Sequence, residues 1–385
     1  MKLQFQREVI LKPLQLVMGV VERHQTLPIL ANLLMIADAQ GLSFTATDLE
    51  VELVARILLT PEHEGEITLP ARKFMDICRA LPDSAVIDLS VESERAKLSS
   101  GRSRFNLTTL PATEFPSVGA IDSQLSFEIS QQELNELLAR THFCMAQQDV
   151  RYYLNGLMLE IGAGVLRSVA TDGHRLAYCE IDASVTVDEL HQIIIPRKGV
   201  QELLKLLTDK EDPVRVDIGA KHIQIQLPSP EERENFEGPY IRFTSKLVDG
   251  RFPDYQRVIP IGSDKRLVAD RERLRQALIR TSILSNEKYR GIRLQLVGDT
   301  LRIQAHNPEQ EEAEEELEVE YTGEPLEIGF NVNYLLDAMA ALQSCSVQVS
   351  LSDSGSSCLI ESAATKGSAT LDAEKARYVV MPMRL

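Results

Sequence analysis

An α+β protein built from three tandem copies of one unit is what this 385-residue sequence predicts, on three observations. A short strand closing on a small residue and a polar pair occurs three times. It is seen in Leu42-Ser43-Phe44-Thr45-Ala46-Thr47-Asp48, in Ser168-Val169-Ala170-Thr171-Asp172-Gly173-His174, and in Leu301-Arg302-Ile303-Gln304-Ala305-His306-Asn307. Two helical periodicities recur at fixed offsets from that motif, and alternating or β-rich runs fill the intervals. Polar, Gly-containing stretches at Gly119–Ser123 and Ile261–Asp264 then set the copies at 1–122, 123–262 and 263–385.

The first helix of each copy carries its apolar residues on one face. Leu134, Leu137, Leu138 and Thr141 follow helical spacing in copy two, as do Leu274, Ala277, Leu278 and Thr281 in copy three. Copy one offers Ile10, Pro13, Leu14 and Val17, where Pro13 predicts a late start or a kink. Ser130 with Glu133 reads as a capping box, and Asp270 holds the equivalent cap position. The second helix repeats as Phe74, Ile77, Cys78 and Leu81, then Val200, Leu203, Leu204 and Leu207, then Leu335, Ala338, Met339 and Leu342. Pro70, Pro196 and Asn331 precede these three helices, where a helix start tolerates them. Leu157–Ile161, Val214–Ile218, Ile223–Leu227, Leu294–Val297 and Val347–Leu351 read as strands. The extra length of copy two falls in the charged loop Ser229–Asn235.

Composition narrows the function class. A chain this long can build two or three cores without disulfides, and its five cysteines lie scattered with no CxxC pair, so a reducing cytoplasm is the expected compartment. No secretory signal opens the chain, and Leu27–Ala37 is too short and too polar to span a bilayer. The formal net charge of −16 opposes binding to a polyanion unless the 41 Lys and Arg residues are grouped.

Some of them are. Arg72 and Arg79, two turns apart on one helix, lie opposite its apolar stripe, and Lys198 and Lys205 repeat the arrangement in copy two, flanked by Lys73 and Arg197. Arg140 matches Arg280 on the first helices, while copy three has Asn333 and Ala340 in place of the second-helix pair. Two readings stand: ordinary solvated helix faces, or non-specific contacts with phosphates. Copy one also places Arg95, Lys97, Arg102 and Arg104 on strand-like segments, against the glutamate-rich stretch from Glu309 to Glu320 in copy three. Such opposite ends invite head-to-tail association, though a solubilising acidic loop explains the second equally well.

Nothing in the sequence assembles an active site. The seven histidines are dispersed without metal-ligand spacing, and no phosphate-binding glycine loop or GxSxG elbow occurs, so no catalytic residue, metal or cofactor is expected. Asp172 with His174 reads as a turn fixed by Asp172 and Gly173. The ending Tyr378-Val379-Val380-Met381-Pro382-Met383-Arg384-Leu385 is apolar: either a last strand docked in the core, or docked valines with the Met-Pro-Met end lining a groove for partner peptides.

Ala170–Ala177 (ATDGHRLA), Phe243–Tyr255 (FTSKLVDGRFPDY), Asn307–Glu315 (NPEQEEAEE) and the ending YVVMPMRL, in this order across the whole chain, closely resemble the bacterial DNA polymerase III beta subunit, the sliding-clamp family. The resemblance implies three DNA-clamp units, each of two helices packed on β-sheets, assembling as a head-to-tail dimeric six-domain ring. A clamp loader closes that ring around double-stranded DNA without sequence specificity, and the ring tethers the replicative DNA polymerase and other proteins carrying clamp-binding peptides. It implies a peptide pocket of Leu154, Thr171, Gly173, His174, Arg175, Leu176, Pro253, Arg257, Val258, Ser357, Val379, Val380, Met381, Pro382, Met383, Arg384 and Leu385. The basic helix faces would line the hole, joined by Gln148, Tyr152 and Tyr153 in one loop and by Arg23 and His24 in another, where His24 replaces an arginine of the relatives. A dimer contact would centre on Phe105 with Ile283 and Leu284, with Arg102 and Arg104 against Glu309, Glu311 and Glu312 of the other subunit. Residues 364–376 lengthen the turn before the last strand relative to the family. The competing reading, of a different class, is a monomeric three-domain enzyme or subunit acting on nucleic acid.

Overall fold

The computed structural model describes residues 1–21, 27–92, 95–228, 240–363 and 375–384. Arg23, His24, Leu385, the Ser229–Asn235 loop and positions 364–374 of the lengthened turn lie outside these described residues. Two compact units emerge, Met1–Asn135 with Lys198–Leu247, and Glu136–Arg197 with Val248–Leu385. The middle third of the sequence contributes to both.

Among the described residues there are six α-helices: α1 (Arg7–Val17), α2 (Ala71–Ala80), α3 (Gln131–Ala139), α4 (Arg197–Leu206), α5 (Arg271–Ser282) and α6 (Val332–Ala341). The apolar stripe of α1 is buried at Ile10, Pro13, Leu14 and Val17. Of the late start or kink expected at Pro13, the late start is absent: α1 begins at Arg7 and continues past the proline. The proline ring packs in the core, and the carbonyl it leaves without a donor belongs to Val9, an exposed residue that water can reach. The capping box is present: Ser130 Oγ accepts from Glu133 N at 3.1 Å while the Glu133 carboxylate accepts from Ser130 N at 3.1 Å. Asp270 accepts from Arg273 N at 2.8 Å and Asn331 from Asn333 N at 3.0 Å, each satisfying an amide that the helix cannot.

The second-helix stripes are rotated slightly from the predicted ones. In α2 the buried residues are Ala71, Phe74, Met75 and Cys78, with Ile77 half-buried; in α4, Leu206 is buried and Leu204 is half-buried. A tight start accounts for this, since Pro70 and Pro196 end the preceding strands and Ala71 and Gly199, small enough to approach the sheet, take inward positions.

In the first unit an eight-stranded antiparallel sheet runs in the order Gly65–Pro70, Asn32–Asp38, Gly41–Thr47, Val51–Ile57, Tyr240–Lys246, His222–Pro228, Pro213–Gly219, Ser123–Ser130. A second sheet holds Lys2–Gln6, Val86–Glu92, Arg95–Ser100 and Ser103–Thr108. In the second unit a nine-stranded sheet runs His191–Pro196, Gly156–Gly162, Val165–Thr171, Arg175–Asp182, Ala376–Val380, Cys358–Ser362, Ser346–Leu351, Lys265–Asp270, Glu320–Thr322. Its companion is Glu312–Glu318, Thr300–His306, Gly291–Val297 and Leu326–Asn331. All five predicted strand runs fall within these elements.

Each large sheet crosses a repeat boundary by the same device. The strand after the first motif, Val51–Ile57, pairs with Tyr240–Lys246, the last strand of copy two. The strand after the second motif, Arg175–Asp182, pairs with Ala376–Val380, the last strand of copy three. The copies are therefore fused by main-chain hydrogen bonds, which do not depend on side-chain identity.

Candidate functional site

The central motif is a turn built by its own side chains. Thr171 Oγ1 donates to the Arg175 carbonyl at 2.7 Å and accepts from Gly173 N at 3.1 Å. Asp172 Oδ1 accepts from His174 N at 2.9 Å and from Arg175 N at 3.0 Å. Gly173 sits at φ +87°, where a side chain is strained. With its carboxylate committed to the main chain and to Arg175 Nε at 3.1 Å, Asp172 orients no imidazole. The pair is a turn, as the sequence indicated.

The chain end docks on this turn. Leu176 faces Val379 and Arg175 faces Val380 in an antiparallel ladder, and beyond it Met381 N donates to the His174 carbonyl at 2.9 Å. Met383 N donates to the Gly329 carbonyl at 2.9 Å, so the tail is pinned at alternate residues to two sheets of the second unit. Val379 and Val380 are buried, whereas Met381 is 42% exposed and Pro382 and Met383 are half-buried. Of the two readings of the C-terminus, docked valines with an accessible Met-Pro-Met end is the arrangement present.

Val379 joins a buried apolar cluster of Ala146, Leu154, Met158, Val169, Leu176, Tyr178, Ile194, Phe252 and Tyr255, with Tyr153 and Ile259 packed against it. A polar network centred on the buried Glu160 lies beside this cluster. Glu160 accepts from Arg167 at 2.8 Å, Gln192 at 2.7 Å and Tyr255 Oη at 3.1 Å; Glu180 accepts from Arg167 at 2.6 Å and Tyr178 Oη at 2.7 Å. Burial, reinforced by Glu180, pushes the Tyr178 hydroxyl above the ordinary phenol range, so it stays protonated and donates. Pro253, Arg257 and Val258 are exposed at the rim, Arg257 pairing with Asp254 at 2.9 Å, and Ser357 is half-buried.

Arg175, which the resemblance puts in the pocket wall, is engaged on its far side. Its guanidinium donates to Asp337 at 2.5 Å and to the Phe143 carbonyl at 3.0 Å, and lies 4.5 Å from the centroid of Tyr334. It is a largely buried clamp that ties the turn to α6. Tyr334, Asp337, Phe143, Phe252 and Tyr255 were not anticipated from the sequence. Their spacing carries no signal, because they converge on the site from separate segments.

The basic residues divide into exposed and engaged. Arg72, Lys73 and Arg79 are exposed on the outer side of α2, with Arg72 donating to the Val21 carbonyl at 3.1 Å. Lys198 pairs with Asp48, Lys205 with Glu202 at 2.7 Å, and Arg197 donates to the Met145 carbonyl at 2.7 Å. Arg140 departs from the predicted outward face: it is buried and pairs with Glu136, because it sits past the last turn of α3, where the chain folds back under it. Arg280 is exposed but engaged by Glu315. In the loop after α3, Tyr152 is 56% exposed and Gln148 adopts φ +57°, whereas Tyr153 turns inward against the buried apolar cluster.

Of the proposed dimer residues, Arg102, Arg104, Glu309, Glu311 and Glu312 are exposed, Phe105 and Leu284 are half-buried, and Ile283 is 72% exposed. Among the described residues no group of three or more His, Cys, Asp or Glu side chains is placed to hold a metal ion, and no helix is long and apolar enough to cross a membrane.

A thrice-repeated α+β unit, with a C-terminal tail pinned on the central turn and exposed basic residues on α2, is the architecture of a clamp-type protein. Models of the DNA polymerase III beta subunit match the chain three times, with the N-terminal domain at residues 1–119, the central domain at 128–254 and the C-terminal domain at 256–384. It is 55% identical to the beta sliding clamp of Pseudomonas aeruginosa and 50% identical to that of Escherichia coli, over 100% of this chain and of each relative. A crystal structure of the P. aeruginosa DNA polymerase III subunit beta superposes with a TM-score of 0.92 at 54% identity, and one of that organism's clamp bound to griselimycin with 0.91 at 54%, each covering 100% of both chains. The chain belongs to the DNA polymerase III beta subunit family, the bacterial sliding clamps.

Proposed function

We propose that this chain is the subunit of a cytoplasmic, non-enzymatic DNA sliding clamp, a closed homodimeric ring that encircles duplex DNA and tethers the replicative polymerase and other partners. Family membership across the full length carries the reading, and the strand arithmetic of the repeats supports its assembly. In copies one and two the strand after the motif is covered by the last strand of the following copy. In copy three the corresponding strand, Glu312–Glu318, is an open edge, and the last strand of copy one, Ser103–Thr108, is the other unmatched one. A second chain supplies the missing partner to each.

The charges favour that pairing. Glu312, Glu314, Glu316 and Glu318 are exposed along one edge, and Arg102 and Arg104 lie on or beside the other, with Ile283 available to join Phe105 as an apolar centre. Like-charged edges also discourage pairing with the wrong strand. Two head-to-tail joints related by a two-fold axis close the ring.

The mechanism is topological. A closed ring keeps its DNA without strong contacts, so the partly neutralised cations of α2, α4 and α5 can touch phosphates weakly and exchange quickly while the acidic remainder repels DNA. Peptide segments with apolar anchors bind where Leu154, Leu176 and Val379 floor the cleft and Met381, Pro382 and Met383 wall it.

The test loads the protein with its clamp loader and ATP onto nicked circular DNA, then linearises the circle. Retention on the circle in moderately high salt with loss from the linear form is expected; equal retention on both overturns the ring. Deleting Met381–Leu385 is expected to abolish polymerase binding and leave the dimer intact in sedimentation. Dissociation of the dimer on deletion overturns the placement of the peptide site.

A further inference from the structure

The two large sheets follow one plan over their first eight strands and differ in the chemistry of one face. Where the second unit pairs Ile194, Met158, Val169 and Tyr178 across adjacent strands, the first pairs Thr68, Leu34, Thr45 and Val54. Where the second pairs Leu176 with Val379, the first pairs Glu52 with Thr244. The main chain fixes the same correspondence: Lys246 N donates to the Glu50 carbonyl at 2.9 Å, as Met381 N does to the His174 carbonyl. The apolar positions Ile194, Val169, Leu176 and Val379 are therefore polar in the first unit, and the side chains of both sets are buried.

Buried polar groups need partners, and the segment that joins copies one and two, residues 109–122, supplies them. Thr68 Oγ1 donates to the Leu110 carbonyl at 2.8 Å and accepts from Leu110 N at 3.0 Å. Glu52 Oε2 accepts from Val118 N at 2.7 Å. Gln224 Nε2 donates to the Gly119 carbonyl at 2.9 Å and to Thr244 Oγ1 at 3.0 Å. The joining segment is thus stapled onto the polar face. In the second unit the segment after Lys246 is held differently: Val248 N donates to the Ile194 carbonyl at 2.9 Å, Tyr255 Oη donates to Glu160, and the Val258 amide turns back on the Tyr255 carbonyl at 3.0 Å.

In the proposed peptide site an apolar anchor packs toward Leu176 and Val379 and displaces no polar contact. On the matching face of the first unit it would strip Val118 N from a buried carboxylate and leave that charge unpaired, which opposes docking. We infer that Glu52, paired with Thr244, is the specificity-determining residue that reserves the peptide site for the second unit and keeps partner peptides off the corresponding face of the first. This rests on the peptide site proposed above.

The experiment starts from the chain lacking Met381–Leu385, in which the second-unit site is silent. The probe is the clamp-binding peptide of the replicative polymerase, carrying fluorescein for anisotropy and a benzophenone for cross-linking. Adding Glu52→Leu with Thr244→Val is expected to restore binding on the order of a hundredfold weaker than in the intact chain, because Leu49 and Glu50 still shape the first turn. Cross-links are expected on residues 109–122. Glu52→Gln, whose carbonyl still accepts from Val118 N, is expected to restore nothing. No binding by the folded double variant, or equal recovery with Glu52→Gln, overturns the role of Glu52. If the double variant does not fold, amide exchange in the otherwise intact chain decides: Glu52→Ala is expected to speed exchange at Val118 by about tenfold or more, and unchanged protection overturns the inference. Should the intact chain bind the peptide no better than the tail-deleted one, the peptide site itself is misplaced; clear loss on tail deletion with no recovery in the double variant condemns only Glu52.

Discussion

Two turns in the two compact units have the same backbone and different fates. In the first unit Thr47 Oγ1 donates to the Val51 carbonyl at 2.9 Å and accepts from Leu49 N at 3.1 Å, and Asp48 Oδ1 accepts from Glu50 N at 2.9 Å and Val51 N at 2.7 Å. These are the bonds made by Thr171 and Asp172 in the second. Leu49 even holds φ +78° where Gly173 holds +87°. The difference lies in three side chains: Leu49, Glu50 and Val51 against Gly173, His174 and Arg175. Threonine and aspartate make the turn, and the three residues after them decide whether it is only a corner or also, as proposed, a binding wall.

The comparison breaks most visibly at its last residue. Arg175→Ala removes a buried cation with three partners and leaves Asp337 and the Phe143 carbonyl unmatched, at a cost of roughly 3–5 kcal/mol and with loss of peptide binding. Val51→Ala is expected to cost about 2 kcal/mol and leave peptide affinity untouched. Chemical denaturation and anisotropy on both variants check this; peptide loss in Val51→Ala would mean that the turns are not separable in function.

The third residue of the turn sharpens the contrast. Leu49→Gly relieves a strained conformation at an exposed position and is expected to stabilise the chain by up to ~1 kcal/mol, despite the added freedom of the unfolded state. Gly173→Leu meets both strain and the Arg151 guanidinium, and destabilises. Melting temperatures of opposite sign are the expected result.

The smallest effect concerns the strand that leaves the first turn. Glu52 is buried, and burial raises its carboxyl above the ordinary range, partly offset by Val118 N at 2.7 Å and by nearby Arg242. A carboxyl with a raised folded-state pKa favours folding while protonated and opposes it once ionised, so its penalty is absent below the unfolded-state pKa and grows as pH rises through the folded one. Glu52→Gln is therefore expected to raise the melting temperature at pH 8, with the gain shrinking toward pH 4. A gain independent of pH would assign the effect to packing.

Much of this molecule was legible in its sequence because its fold repeats. Periodicity located the helices, and comparing copies separated the architectural Thr-Asp turn from the residues unique to the middle one. Legibility failed where a side chain's neighbours come from distant segments. Spacing alone put Arg140 on an open face, but Glu136 and the chain beyond α3 enclose it. Nor does spacing reveal that Tyr334 and Asp337, far along the chain, capture the Arg175 head group. The late start suggested by Pro13 is absent for a related reason, since the penalty for a proline depends on whether the orphaned carbonyl meets water, and one helix seen alone does not say.

The unmatched strands Glu312–Glu318 and Ser103–Thr108 have a kinetic consequence for the proposed ring. Every other boundary between copies lies within one continuous chain, so only the two intersubunit joints can part without unfolding. When one parts, the other keeps the loose ends at a high effective concentration, and reclosure is a unimolecular step that dilution cannot slow. Assembly from free chains is second order, but an opened ring heals at a rate set by its own geometry.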